Sequence, residues 1–375
     1  RQHVSRRELL AGLAAWPFVQ DAKKAYRACV IGHTGRGNYG HGLDECFIGL
    51  PNVKVVGLAD PVEKGRDVRK KLAERLYADW REMLAKEKPN LVSIGPRWVE
   101  NRVEMFTACA EIGAHVYAEK PMALSLADAD AILAVCDAKG VKTSFAHSNR
   151  PMASTLHAKK VVDDGLIGDI LEMRARGKED QRAGGEDMAV LGTHCMYLMR
   201  LFAGDAQWVS ARVQQDGKDV TRDDRRAATE PLGPVAGNSI HATFAFAKGV
   251  QGHFASQKQE KGAGHRFGVT ILGTKGAIAF GPGNLGKVIY TPDRLWHGQW
   301  QPLPGNPSEG ESFAVANRLL VEDLLKCAEN GGEPMASGRE SRATLEMIHG
   351  VYASHLAGAR VALPLKERSH PLGTL

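Results

Sequence analysis

The sequence predicts an α/β protein in two parts. A doubly wound parallel sheet is expected over residues 23–150, and an α+β part with a large open, mostly antiparallel sheet over 151–375. Three observations carry this. Up to about residue 146 short apolar runs alternate with helix-like stretches, the pattern of parallel strands joined by right-handed crossovers. Beyond Pro151 the strand-like runs lengthen and alternate polar with apolar residues, as a sheet covered on one face does. The chain has 375 residues, 43% hydrophobic and 25% charged, enough for two domains with real cores.

In the first part, 28–32, 53–59, 91–94, 114–118 and 141–146 read as strands, and 44–50, 61–75, 99–112 and 126–139 as helices. In the second, a helix at 154–165 precedes strands at 170–177, 208–215, 239–246, 252–257, 267–272 and 277–280. Helices at 313–329 and 337–356 follow. The stretches 215–237 and 281–312, rich in Gly, Pro and Asp, read as irregular loops.

Composition excludes some function classes. The net charge is only +6 with both signs interspersed, so no nucleic-acid partner is expected. The apolar run from Leu9 to Val19 is too short to span a bilayer, so no membrane span is expected. Because Arg6-Arg7 precede that run, residues 1–22 resemble a twin-arginine export signal, which predicts a periplasmic or otherwise exported protein. The six cysteines form no CxxC pair and read as buried free thiols. The histidines form no HExxH pattern, so no metal is expected.

The chemistry concentrates at strand ends. The first strand closes in Gly32-His33-Thr34-Gly35-Arg36-Gly37-Asn38, where glycines let the backbone turn under a pyrophosphate held by free N–H groups. The second closes in Asp60, placed to accept from both hydroxyls of an adenosine ribose and to repel a 2′-phosphate. NAD is therefore expected in preference to NADP. The strand ending at Ala118 runs into Glu119-Lys120-Pro121, an ammonium at a carboxyl edge where such sheets place reacting groups.

With that Glu-Lys-Pro motif the chain resembles the Gfo/Idh/MocA family of sugar-type oxidoreductases over nearly all of residues 27–360. The resemblance implies an N-terminal Rossmann domain that binds NAD. It also implies cofactor contacts from Gly32, Thr34, Gly35, Arg36, Gly37, Asn38, Asp60, Gly95, Pro96, Glu119 and Lys120. Lys120 resembles the lysine that hydrogen-bonds the reacting hydroxyl, and Asn149 and Arg150 occupy a position that often faces the nicotinamide or the sugar. The family's second signature, Asp-x-Gly-x-His-x-x-Asp, keeps Gly192 and His194 but has Val190 and Tyr197 in place of its two aspartates.

Asp187, two helical turns before His194, or the Tyr197 hydroxyl could supply the missing partner. The candidate catalytic set is therefore Lys120, His194, Tyr197 and Asp187. The substrate set is Asn149, Arg150, Arg182 and His194, and Lys178, Arg176 and Arg182 could meet an acidic sugar. The expected reaction is hydride transfer from a sugar or cyclitol to NAD, with His194 as base and Lys120 stabilising the alkoxide. The alternative is an NAD-recycling glycoside hydrolase or lyase of the same family. A homo-oligomer, dimer or tetramer, is expected.

Overall fold

The structure, a computed structural model, describes residues 24–258, 264–281, 283, 285–295, 298–307 and 312–375. The export-signal expectation lies outside the described residues.

Six parallel strands form the first sheet: β1 (Tyr26–Ile31), β2 (Val53–Ala59), β3 (Arg75–Tyr77), β4 (Leu91–Ile94), β5 (His115–Ala118) and β6 (Thr143–Phe145), in the order β3-β2-β1-β4-β5-β6. The order reverses between β1 and β4, which opens a crevice at their carboxyl ends. The connecting helices are α1 (Glu63–Val68), α2 (Trp80–Glu87), α3 (Arg102–Glu111) and α4 (Leu126–Ala138). Ser125 caps α4 by accepting from the Asp128 N–H at 3.1 Å.

Three expectations are corrected here. The stretch 44–50 is a run of turns and not a helix, because Gly40, Gly42 and Gly49 all take positive φ. The helix expected over 61–75 stops at Val68, and Arg75–Tyr77 forms the edge strand β3. Strand Val288–Thr291 lies inside the segment read as a loop.

The second sheet has ten strands, all antiparallel except one parallel pair. After helix α5 (Ala153–Asp163), its main strands are β7 (Ile170–Arg176), β8 (Trp208–Gln215), β9 (Ser239–Ala245), β10 (Gln251–Gln257), β11 (Gly268–Gly273), β12 (Ala277–Phe280) and β13 (Val288–Thr291). They stand in the order β13-β12-β11-β7-β10-β9-β8. Alternation along β8 buries Val209 and Val213 and turns Ser210 and Arg212 outward, so one face meets helices while the other stays polar.

The covered face receives one continuous helical run: α6 (Gly185–Asp187), a π turn (Met188–Gly192) and α7 (Thr193–Ala203). Helix α8 (Phe313–Asn330) instead packs on the first sheet, where Leu320, Val321 and Leu324 are fully buried against Tyr26, Val30 and Tyr117. Each such side chain contributes roughly 1.5–3 kcal/mol. Helix α9 (Gly338–Ala357) spans both halves, touching α4 and β6 on one side and β8 and α7 on the other.

All six cysteines are free, and all but Cys327 are buried. No described helix is long and apolar enough to cross a membrane.

Two histidines, His147 and His349, are buried in the protein, and a third, His370, packs edge-on to His349. Burial lowers His147 to about 3 and His370 to about 4, and His349 falls well below the ordinary value of 6.5. The unfolded chain therefore binds more protons than the folded one as pH drops below 6.5, and stability falls in that window. Each neutral histidine should cost about 2 kcal/mol of stability at a pH near 5 relative to pH 7. Urea midpoints at the two pH values check this, and equal midpoints would show that the buried rings protonate freely.

Candidate active site

A cavity of about 390 Å³ opens at the carboxyl ends of β4 and β5, against the π turn and α7. Lys120 and His194 both line it, together with Asn149 and Arg182. Its remaining polar lining is Lys178, expected from the sequence as a contact for an acidic sugar, with Ser148, Asn317 and three residues that motif reading missed, His41, Arg97 and Glu230. Arg97 directly follows Gly95-Pro96 at a strand end and could have been suspected. His41 and Glu230 sit in turns and loops with no local signal.

Lys120 is 2% exposed, lies two residues past the end of β5, and joins Pro121 through a cis peptide bond. Its Nζ donates to the Val190 carbonyl at 3.1 Å. A backbone oxygen of the π turn thus holds the ammonium at the position where the family carries an aspartate. Burial pushes the Lys120 pKa down while Glu119 and Glu230 pull it up. Burial likewise depresses His194 well below 6.5, aided by Lys120, His147 and His41, so its imidazole is neutral at neutral pH and has an open acceptor, with its basicity lowered by the same surroundings.

Neither substitute for the missing aspartate partners His194. The Asp187 carboxylate is fully buried and accepts from the backbone N–H groups of Lys178 (3.0 Å) and Glu179 (2.9 Å) and from the Ser256 hydroxyl (2.5 Å). It latches the 177–179 segment to α6. The Tyr197 hydroxyl donates to the Met335 carbonyl at 2.7 Å, and its ring stacks on His147 at 4.3 Å. Arg150 interacts with Tyr197 and lies outside the cavity lining. Arg176 pairs with Glu179 at 2.8 Å, also away from the cavity.

The glycine turn differs most from expectation. Asp60 is 0% exposed and its oxygens are taken by the Thr34 N–H and hydroxyl, the Tyr39 hydroxyl and the Val62 N–H, at 2.7–3.2 Å. Those donors hold its pKa below 3.8 against burial, and it clamps the turn internally. Gly32 is required because a Cβ there would lie 2.0 Å from the Tyr39 ring, and Gly37 because one would lie 2.4 Å from the Arg97 nitrogen. Gly35, by contrast, has open space above it, and Asn38 accepts its N–H at 3.0 Å.

Arg36 stacks 4.6 Å over Trp98. Glu119 is also closed off: one oxygen meets His41 Nδ1 and the other accepts the Lys120 N–H, so its carboxylate turns inward. The buried Arg102 guanidinium donates to the carbonyls of Pro96 (2.7 Å) and Glu119 (2.6 Å), tying both strand-end loops together.

On the far side of the turn a groove of about 240 Å³ is lined by Gly32, His33, Pro61, Asp79, Trp80 and Trp98. Groove and cavity flank the carboxyl ends of the sheet. These residues fit a dinucleotide: the space above Gly35 lets a phosphate approach the turn, and Arg36, stacked on Trp98, supplies a cation beside it. Among the described residues no group of three His, Cys, Asp or Glu side chains could hold a metal.

Residues 26–147 match the model of an oxidoreductase family with an NAD-binding Rossmann fold, GFO_IDH_MocA, and residues 155–279 match the GFO/IDH/MocA C-terminal domain. D-apiose dehydrogenase of Paraburkholderia graminis is 25% identical over 80% of both chains. Levoglucosan dehydrogenase of Pseudarthrobacter phenanthrenivorans is 25% identical over 62% of this chain and 65% of its own length. The fold matches that of a levoglucosan dehydrogenase in complex with NADH and levoglucosan, at a TM-score of 0.74, 19% identity, and coverage of 91% of this chain and all of that one.

Proposed function

The chain belongs to the Gfo/Idh/MocA oxidoreductase family with NAD as cofactor, and from that premise we propose that it oxidises a hydroxyl of a sugar or sugar derivative. One observation carries the reading: a buried ammonium and a neutral imidazole, Lys120 and His194, line the same cavity at the crevice where the sheet order reverses. Bound NAD supplies the hydride acceptor. Gly32, His33, Trp80 and Trp98 would hold its adenosine half, and Gly95, Pro96 and Lys120 its nicotinamide half. His194 removes the hydroxyl proton, and Lys120, fixed by the Val190 carbonyl, stabilises the alkoxide that forms. The substrate contacts are Asn149, Arg182 and the residues beside them.

Support for sugars comes from the levoglucosan and D-apiose dehydrogenases among the relatives. A second reading is a redox-neutral lyase or hydrolase that oxidises, eliminates and re-reduces. It is favoured by a second acid–base pair in the cavity, His41 on the buried Glu119. A 2,7-anhydro-N-acetylneuraminate hydratase of Mediterraneibacter gnavus is 28% identical, over 40% of each chain. Export through the Arg6-Arg7 signal and assembly as a homo-oligomer complete the proposal.

The deciding experiment measures nucleotide released from the purified protein, then NADH formed per sugar consumed. A dehydrogenase forms one NADH per product. Tightly retained NAD with product but no net NADH would move the assignment to the recycling reaction, and no NAD binding would overturn both.

A further inference from the structure

We propose that the substrate carries a carboxylate, as an aldonic or uronic acid does, and that Lys178 with the Arg97–Arg182 pair holds it while Lys120 and His194 face the reacting hydroxyl. This deepens the dehydrogenase reading and rests on it. The cavity is lined by four cationic side chains, Arg97, Lys120, Lys178 and Arg182, and by one carboxylate, Glu230. Asp180, which grips Arg182 at 2.7 Å from just outside, and Glu119, which backs Lys120 and the cavity-lining His41, raise the anions to three. Four minus three leaves an excess of one positive charge facing one small volume.

All three carboxylates are already committed, Glu119 to His41 and the Lys120 N–H. Glu230 bridges Arg97 at 3.1 Å and Arg182 at 3.4 Å, and Asp180 takes two nitrogens of Arg182. Glu230 and Asp180 fix the two guanidinium groups in place, Glu119 and Glu230 act on Lys120, and none of the three compensates Lys178. The backbone of Lys178 is itself pinned, its N–H on Asp187 and its carbonyl accepting from the Gly264 N–H at 2.6 Å. Its ammonium has no ion pair among the described residues. Lys120, 2% exposed, spends one donor on a backbone carbonyl and keeps two.

A neutral polyol brings nothing that compensates such an excess, and lysine and arginine offer donors only. A carboxylate compensates it through charge-assisted hydrogen bonds, which are about twice as strong as neutral ones. The geometry of two anchored guanidinium groups also suits a planar two-oxygen acceptor. A phosphate monoester shares this anionic chemistry, so it enters the test as a competing source.

The test titrates the NAD-supplied protein calorimetrically with D-glucuronate, D-galacturonate and D-gluconate. Their neutral counterparts, D-glucose and D-galactose, and glucose 6-phosphate are titrated alongside, and NADH formation is followed in parallel. At least one acid should bind about tenfold or more tightly than its neutral counterpart, with the gap closing at high salt. Lys178→Met, a change at an exposed side chain, should raise the KM for that acid about tenfold with kcat little altered. Equal or tighter binding of the neutral sugars, preference for the phosphate, or no binding of any acid would each overturn the proposal. An acid that binds without being oxidised would keep the carboxylate site and overturn the dehydrogenase reading alone.

Discussion

Replacing Lys120 with Met should lower kcat by about a thousandfold, within the hundred- to ten-thousandfold range of placed proton-transfer and electrostatic groups, and at the same time raise thermal stability. The two effects have one origin. The ammonium is almost wholly withdrawn from water and is held by a single backbone carbonyl, so the fold bears a desolvation cost that a thioether of similar length removes. Steady-state kinetics on an oxidised sugar, together with a melting curve, check both halves. A variant that keeps more than a tenth of the wild-type kcat would remove Lys120 from the reaction. One that melts lower would show that the ammonium is part of the core's support.

Asp187→Ala should destabilise the protein by about 3–5 kcal/mol, because two backbone N–H groups and one hydroxyl lose their acceptor in a buried site. Asp187→Asn, which keeps one acceptor oxygen, should lose about half as much. Urea denaturation of the three proteins measures the series. A loss below about 1 kcal/mol for the alanine variant would mean that the latch is not what holds the 177–179 segment. Sequence spacing had placed Asp187 on the His194 face of the helix. The local unwinding at Met188–Gly192 interrupts the regular turn on which that spacing depends, and Ser256 with the 178–179 backbone claims the carboxylate.

What was legible in the sequence follows from what each signal depends on. The strands β2 and β4 were read to the residue because β4 is buried throughout and the buried run at the end of β2 outweighs the single exposed Lys54 near its start. The edge strand β3 was missed because Arg75 faces water and only Tyr77 is buried, so it carries no apolar run. Lys120 and His194 were found through a motif and a glycine-marked helix, and both line the cavity.

Asp60 and Glu119 were legible from their positions at strand ends; that Tyr39 and His41 reach back from the turn segment to their oxygens was not, because it depends on how that turn folds. Glu230 could not be read at all, since its role exists only once the 215–237 loop crosses to meet Arg97 and Arg182.

Helix α8 leaves a mark on how this protein can be made. The second face of the N-terminal sheet is sealed by Leu320, Val321 and Leu324, residues emerging from the ribosome at least 175 positions after Phe145 ends the last strand of that sheet. Until then Val30, Leu58 and Tyr117 have an uncovered side, so the nucleotide-binding half must wait, half-dressed, for the far end of the chain. A fragment cut near residue 150 would carry that bare apolar face into solution and aggregate. The two halves therefore mature as one folding unit, and any attempt to graft the N-terminal half elsewhere must bring α8 with it.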